Sequence, residues 1–208
     1  MADVAMHDER NALLQVAKRL ITERGHEVSR TALAAGAGIS RARVEAIFPD
    51  EADLFDAIVE SWFAKNVEIM EEVVASELPP NRKMYEFFAR RFVRQRERFL
   101  RDPESFRVHC ELGAANFERV RSYIDLADHY LCELIAQAQA EGAFPGLAID
   151  EALSLINQMT HPYTNAEVMI YMEPRLSEAK LARIVDTLFA GLSSADGGAR
   201  GVKGLRAA

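Results

Sequence analysis

The stretch SRTALAAGAGISRARVEAIFPD, residues 29–50, constrains the fold of this chain more than any other segment. Ser29 and Ser40 each precede a short run of helix-forming residues, and a serine oxygen accepts a hydrogen bond from a free N–H at a helix start. Gly38 lies between the runs, where the backbone needs a tight turn. Behind the turn, Val44, Ile47 and Phe48 can pack the second helix in place. This is the spacing of a helix-turn-helix.

A longer helix is predicted on each side of this segment. Residues 10–24 carry apolar side chains at helical spacing, and Gly25 follows as a stop. Asp50 can cap a fourth helix, whose apolar stripe continues to Pro79. The helix-turn-helix is therefore expected to close into a three-helix domain, followed by a long helix.

Helical patterns also fill the second half of the chain, and no segment alternates like a strand of a sheet. They cover 81–100, 103–111, 115–141, 150–160 and 177–193. Pro162 either kinks one long helix or divides two. The last residues, 196–208, are rich in Gly, Ala and basic residues without an apolar period, and predict a disordered tail. The fold class is all-α.

Charge and composition exclude several classes of protein. The net charge of -7 argues against coating nucleic acid or anionic membrane by bulk charge. No apolar run approaches the roughly 18 residues of a membrane span, and the acidic start does not suit a signal peptide. We therefore expect a cytoplasmic protein that does not bind membranes. Cys110 and Cys132 lack metal-site spacing and are interpreted as buried free thiols.

From residue 10 to about 60 the sequence resembles the tetracycline-repressor (TetR) family of bacterial regulators. The resemblance runs through RNALLQVAKRL, RG, VS, LAAGAGIS and IFPDEADLF, in that order. It implies a DNA-binding helix-turn-helix domain at 1–50 and a helical bundle at 51–195 that binds a small effector. It also implies a homodimer formed through the last two long helices, here about 150–172 and 177–193. The partners would be a double-stranded DNA operator and a small-molecule effector, without a cofactor.

If the third helix enters the major groove, its side opposite Val44, Ile47 and Phe48 faces DNA. Arginine there suits guanine or phosphate, glutamate can accept from cytosine, and Ser40 at the helix start suits phosphate. The alternative is a solvated surface on which Arg41 and Glu45 pair along the helix. The DNA-binding candidates are Arg30, Ser40, Arg41, Ala42, Arg43 and Glu45.

Three positions depart from the family pattern. Glu45, Ile47 and Glu51 stand where relatives usually have tyrosine, histidine or tyrosine, and lysine, which commonly contact phosphate. Residues 1–56 hold seven Lys and Arg against ten Asp and Glu. Since phosphate neutralisation supplies much of the affinity for DNA, these carboxylates should weaken binding. Two hypotheses follow: an unusual operator, or a retained fold that serves ligand binding or protein interaction.

Aromatic and polar side chains on the later helices could line an effector pocket, although ordinary core packing explains any one of them. The pocket candidates are Trp62, Phe106, His109, Tyr130, His161 and Tyr163. The histidines lack metal-site spacing and no catalytic motif is present, so neither a metal site nor enzymatic activity is expected. We interpret the chain as a ligand-responsive transcriptional regulator, a repressor released by an apolar or aromatic effector.

Overall fold

The computed structural model describes residues 2–25 and 27–198, with side chains from Met6 onward. Within these residues all regular structure is helical, as predicted. A short 3-10 helix, Glu173–Arg175, lies between the ninth and tenth helices. The helices are α1 (Ala2–Arg24), α2 (Arg30–Ala37), α3 (Arg41–Ile47), α4 (Glu51–Val74), α5 (Pro80–Arg101), α6 (Pro103–Ala115), α7 (Phe117–Ala140), α8 (Ile149–Thr164), α9 (Ala166–Met172) and α10 (Glu178–Leu192).

The chain divides into two compact units. Unit 1 contains the residues up to Lys65 together with Arg98–Tyr123, and unit 2 contains Asn66–Glu97 together with the residues from Ile124 onward. Three helices, α4, α5 and α7, therefore contribute one part to each unit.

The core of unit 1 is built from α1 to α4 and closed by Leu112 of α6. Val44, Ile47 and Phe48 are buried in it, as the sequence pattern predicts. The same holds for the apolar face of α1, because its leucines recur at helical spacing and all point to one side. This packing fixes the short α2 and α3, which could not persist as isolated helices.

The core of unit 2 is rich in aromatic residues on α5, with contributions from α7, α8 and α10. Phe87, Phe88 and Phe92 are all buried, and the rings of Phe87 and Phe88 meet edge to face at 5.2 Å. Phe144 in the connection between α7 and α8 is also buried, against Phe189 at 4.8 Å. Unit 2 is therefore a helical bundle with its own hydrophobic interior.

The region around Pro162 forms two helices instead of one kinked helix, and the break between them does not fall at Pro162. Helix α8 continues past Pro162 and ends at Thr164. The break falls at Asn165, whose backbone is extended and whose side-chain oxygen accepts from Val168 N at 3.0 Å, capping α9. The range predicted as one helix, about 150–172, is thus two helices, because an asparagine cap satisfies the donors of a new helix start.

Two other boundaries differ from the sequence prediction. Helix α1 begins at Ala2, eight residues before the predicted start at residue 10. Helix α6 extends to Ala115, because Gly113 lies within it instead of ending it. Residues 199–208 of the predicted tail lie outside the described residues. The first three residues of the tail, 196–198, form turns.

Candidate functional site

The turn between α2 and α3 has the geometry predicted from its glycine and serines. Gly38 adopts a left-handed φ of 68°, and Ile39 N donates to Ala34 O at 3.1 Å across the turn. Ser29 Oγ accepts from Ala32 N, and Ser40 Oγ accepts from Arg43 N, each at 3.2 Å. Both short helices are therefore capped at their starts, and α3 is held in a fixed direction relative to α2.

Helix α3 has one buried and one exposed side. Val44 and Ile47 are buried, and Glu45 is half-buried. The other residues of α3 are exposed. The exposed side carries Arg41, Ala42, Arg43 and Ala46. Two arginines flanked by alanines make a surface narrow enough to approach the base edges of a major groove.

Arg41 and Glu45 form the intrahelical ion pair considered in the sequence analysis. Arg41 Nε donates to Glu45 Oε1 at 2.7 Å, with the arginine side chain 62% exposed. An exposed pair of this kind contributes little to stability because water and salt screen it. The pair therefore leaves Arg41 free to exchange its carboxylate for another acceptor.

Arg43 is held by a residue of α1 that the sequence analysis did not single out. Its Nε donates to Glu9 Oε1 at 2.8 Å, and its Nη2 donates to Glu9 Oε2. The hydrogen bond from Arg43 lowers the pKa of Glu9, and the same bond raises the pKa of Arg43. Both groups therefore keep their charges, and two parallel bonds fix the guanidinium in one direction.

Arg30 forms hydrogen bonds with residues around the start of α4 instead of pointing into solvent. Its backbone N–H donates to Glu51 Oε2 at 2.9 Å and to Oε1 at 3.2 Å, while its Nε lies 3.4 Å from Oε1. The guanidinium also donates to the carbonyls of Phe48, at 3.2 Å, and Pro49. Only 14% of the side chain is exposed. Arg30 thus ties the start of α2 to the start of α4.

Each of the three candidate arginines therefore has a carboxylate partner within unit 1. The pairs are Arg30 with Glu51, Arg41 with Glu45, and Arg43 with Glu9. A phosphate that binds any of these guanidiniums must displace or share a glutamate of the same chain. The charge available to DNA is smaller than the count of arginines indicates.

Of the effector candidates, the structure brings Trp62 and His109 together in unit 1. Their rings meet edge to face with centroids 4.9 Å apart, and Phe55 contacts the other side of Trp62 at 6.4 Å. Phe106 is buried and pairs instead with Phe99 at 5.8 Å. These three candidates share one unit, but only Trp62 and His109 are in mutual ring contact.

The environment of His109 keeps its imidazole neutral. Burial lowers its pKa to about 4, with further lowering by the positive charges of Arg98 and Lys18. A hydrogen bond with the backbone of Ser105 and the charge of Asp102 act in the opposite direction. The ring is therefore uncharged at neutral pH and can serve as a hydrogen-bond acceptor.

The other three effector candidates lie in unit 2 and are not gathered around one point. Tyr130 Oη donates to Glu71 Oε1 at 3.0 Å. Tyr163 is buried against Phe92 at 4.9 Å, and its hydroxyl donates to Ser177 O at 3.4 Å. His161 is exposed near the end of α8. Each has a local packing or surface position that needs no ligand.

Unit 2 also holds donors on α5 that the sequence analysis missed. The Arg91 guanidinium stacks on Phe87 at 3.9 Å and donates to Met70 Sδ at 3.4 Å. Arg94 Nε and Gln95 Nε2 are buried without a hydrogen-bond partner among the described residues. The signal available in the sequence was the run ARRFVRQR, in which polar residues interrupt an apolar stripe.

The described residues contain neither a metal-ion cluster nor a membrane-spanning helix. Across 2–25 and 27–198, no group of three or more His, Cys, Asp or Glu side chains is arranged to hold a metal ion. None of the described helices is both long and apolar enough to cross a membrane.

The family relationship is decided by the second half of the chain. Residues 80–185, just over half of the sequence, match the family model described as "Tetracyclin repressor-like, C-terminal domain". The chain belongs to the TetR family. The match lies outside residues 10–60, from which the sequence resemblance was drawn, so the two observations are independent.

Solved structures of TetR-like regulators share the fold. The fatty acid degradation regulator FadR from Bacillus halodurans aligns with a TM-score of 0.64 at 15% identity, over 88% of this chain and 95% of that one. A TetR/AcrR-family regulator from Thermobifida fusca gives 0.59 at 19% identity, over 88% and 98%. NalD, the secondary repressor of the MexAB-OprM multidrug efflux pump in Pseudomonas aeruginosa, gives 0.59 at 18%, over 89% and 97%. No curated protein matches the sequence.

Proposed function

We propose that this TetR-family chain is a cytoplasmic, ligand-responsive transcriptional regulator that binds a DNA operator as a homodimer. In this proposal it is a repressor released by a small apolar or aromatic effector. The observation that carries the proposal is the capped α2-turn-α3 segment with Arg41 and Arg43 on its exposed side. Such a surface reads base edges when a helix lies in the major groove.

The proposed DNA contacts differ in kind. Arg41 and Arg43 would contact guanine or phosphate after leaving their glutamate partners, and Ser40 at the start of α3 would contact phosphate. Ala42 would allow close approach to the bases, and Glu45 would accept from cytosine when Arg41 moves away. Arg30, which is mostly buried, would contribute by orienting the start of α2.

Release by an effector requires two arrangements of the dimer. The effector must bind more tightly to the arrangement in which the two recognition helices do not fit successive major grooves. A ligand with equal affinity for both arrangements would leave DNA binding unchanged. The proposed effector residues, Trp62, Phe106, His109, Tyr130, His161 and Tyr163, lie on helices of both units.

Selection from a random duplex library at low salt tests the proposal directly. The purified protein should enrich a palindromic sequence, and its affinity for that sequence should exceed its affinity for a scrambled duplex across a salt series. Arg43→Ala should reduce the affinity for the selected sequence. Arg24→Ala, which removes an exposed arginine at the end of α1, is the matched control and should leave it unchanged.

A second function is favoured by the glutamates opposite the arginines. If Glu9, Glu45 and Glu51 neutralise the surface permanently, the chain is a dimer that binds ligands or protein partners and no longer binds DNA. In that case a well-folded dimer would enrich no sequence from the library, and Arg43→Ala would have no effect on DNA retention at low salt.

A further inference from the structure

Two ring nitrogens in unit 1 are buried and lack a hydrogen-bond partner among the described residues. They are Trp62 Nε1 on α4 and His109 Nε2 on α6. Trp62 is only 6% exposed, so water does not reach it freely. A buried polar group without a partner destabilises a fold, and such groups are uncommon. Two of them on touching rings, 4.9 Å between centroids, require an explanation.

The two nitrogens have opposite hydrogen-bonding character. The indole Nε1 is always a donor. In His109, the hydrogen bond with the Ser105 backbone raises the pKa, so the imidazole is the donor in that bond. Because Nε2 has no partner, the donating nitrogen is Nδ1, and the neutral ring presents a lone pair at Nε2. One donor and one acceptor are thus available on two rings whose centroids lie 4.9 Å apart.

A hydroxyl group fits this combination of donor and acceptor. A hydroxyl can accept from one partner and donate to another through the same oxygen. A carboxylate or an ether can only accept, and would leave His109 Nε2 unsatisfied. The side chains on the Trp62 side of the pair are apolar: Phe55 packs against Trp62, and Leu112 and Val108 belong to the same hydrophobic cluster as Trp62. They suit a hydrocarbon skeleton.

We propose that Trp62 and His109 bind the hydroxyl group of an otherwise apolar effector. The hydroxyl oxygen accepts from Trp62 Nε1–H, and its proton is donated to His109 Nε2. This inference rests on the proposed function, since it names the chemical class of the effector. It assigns hydrophobic contact with the ligand skeleton to the neighbouring apolar side chains.

Fluorescence offers a direct test because Trp62 is the only tryptophan in the chain. Primary alcohols from hexanol to dodecanol are titrated into the full-length protein, alongside methyl ethers and carboxylates of matched length. The alcohols should change the Trp62 emission and bind about tenfold more tightly than the matched ethers, as expected when a buried acceptor loses its donor. Equal binding of alcohols and ethers, tighter binding of carboxylates, or no response to any alcohol would overturn the proposal.

Variants separate ligand recognition from packing, with calorimetry as the readout. Trp62→Phe removes the N–H and His109→Leu removes the acceptor, so each should abolish the preference for alcohol over ether. His109→Gln restores an acceptor and should recover part of the preference. If the Trp62 N–H instead packs against the imidazole in a purely structural contact, the variants would change stability but leave the alcohol-to-ether ratio as in the wild type.

Separate experiments test the hydroxyl site and the proposed DNA-binding function, so the failure of one can be told from the failure of the other. Operator selection in the absence of alcohols tests DNA binding alone. If a palindrome is enriched while alcohols and ethers bind equally, the regulator stands and the hydroxyl site fails. If alcohols bind selectively while no DNA is enriched, the hydroxyl site is retained as the ligand site of a dimer that does not bind DNA.

Discussion

Arg43 on α3 and Glu9 on α1 form a two-bonded ion pair across 34 positions of sequence. The pair directs an exposed arginine of the candidate recognition helix toward a carboxylate of the same chain. If Arg43 contacts DNA as proposed, it must leave this partner, so Glu9 would compete with phosphate for the same guanidinium.

Glu9→Gln should increase the affinity for DNA of any sequence. Removing the carboxylate frees Arg43 and removes one negative charge near the duplex, so affinity at low salt should rise by about threefold and the salt slope should steepen by about one ion. Fluorescence anisotropy of a labelled duplex over a salt series measures both quantities. Glu23→Gln on the same helix, whose carboxylate pairs with Arg19, is the control. An equal effect of the two variants would assign the change to net charge alone.

The contact of Glu9 with Arg43 could not be predicted from the sequence. The caps at Ser29 and Ser40, the turn at Gly38 and the burial of Val44 all follow from local rules, and the structure has each of them. Such features depend on residues a few positions apart. An ion pair between distant helices depends on tertiary packing and on the helix α1 beginning at Ala2, which no apolar period marks.

The same limit applies to the effector candidates. The aromatic spacing identified Trp62 and His109 separately, but their contact depends on how α4 packs with α6 inside unit 1. Conversely, the Arg41 and Glu45 pair was accessible from sequence, since four positions make one helical turn. Sequence therefore predicts the helices and their faces more fully than the contacts between them.

Glu51→Lys should strengthen non-specific DNA binding and steepen its salt dependence. The substitution replaces a negative charge by a positive one and removes the acceptor of the Arg30 backbone N–H. The lost carboxylate at the start of α2 should also reduce stability slightly. Glu51→Gln, which removes only the charge, should show a smaller change in the slope. The hypothesis fails if the slope of Glu51→Lys equals that of the wild type.

His109 should make the stability of the fold sensitive to acid. Its pKa of about 4 in the folded chain lies below the ordinary value of 6.5, so the unfolded state binds the proton more readily. The contribution of the neutral imidazole to the free energy of unfolding is complete above pH 6.5 and is lost as the pH falls toward 4. Arg98 and Lys18 oppose protonation, whereas Asp102 and the Ser105 backbone favour it.

Denaturant unfolding of the wild type and His109→Gln at two pH values isolates this effect from the titration of carboxylates. Between about pH 7.5 and about pH 4.5, the wild type should lose about 1.5 kcal/mol more than the variant. The full pKa shift of His109 would give a larger loss of stability, but part of the ring remains in contact with water and the effect is reduced. A difference between the two proteins that does not change with pH would contradict the assignment of a neutral, partly buried imidazole.

Gly38→Ala should destabilise unit 1 through the backbone alone. Gly38 has a φ of 68°, and a Cβ built there meets no atom within 4 Å, so the cost is the left-handed conformation, about 1 kcal/mol. Gly38→Asn should cost less, because asparagine tolerates this conformation. As a control, Gly191→Ala in α10 also adds a Cβ in open space but at a helical position, and should stabilise by about 0.5 kcal/mol. Thermal unfolding measures all three variants. Since Gly38 sets the direction of α3, its alanine variant should also lose operator affinity, whereas Gly191→Ala should retain it.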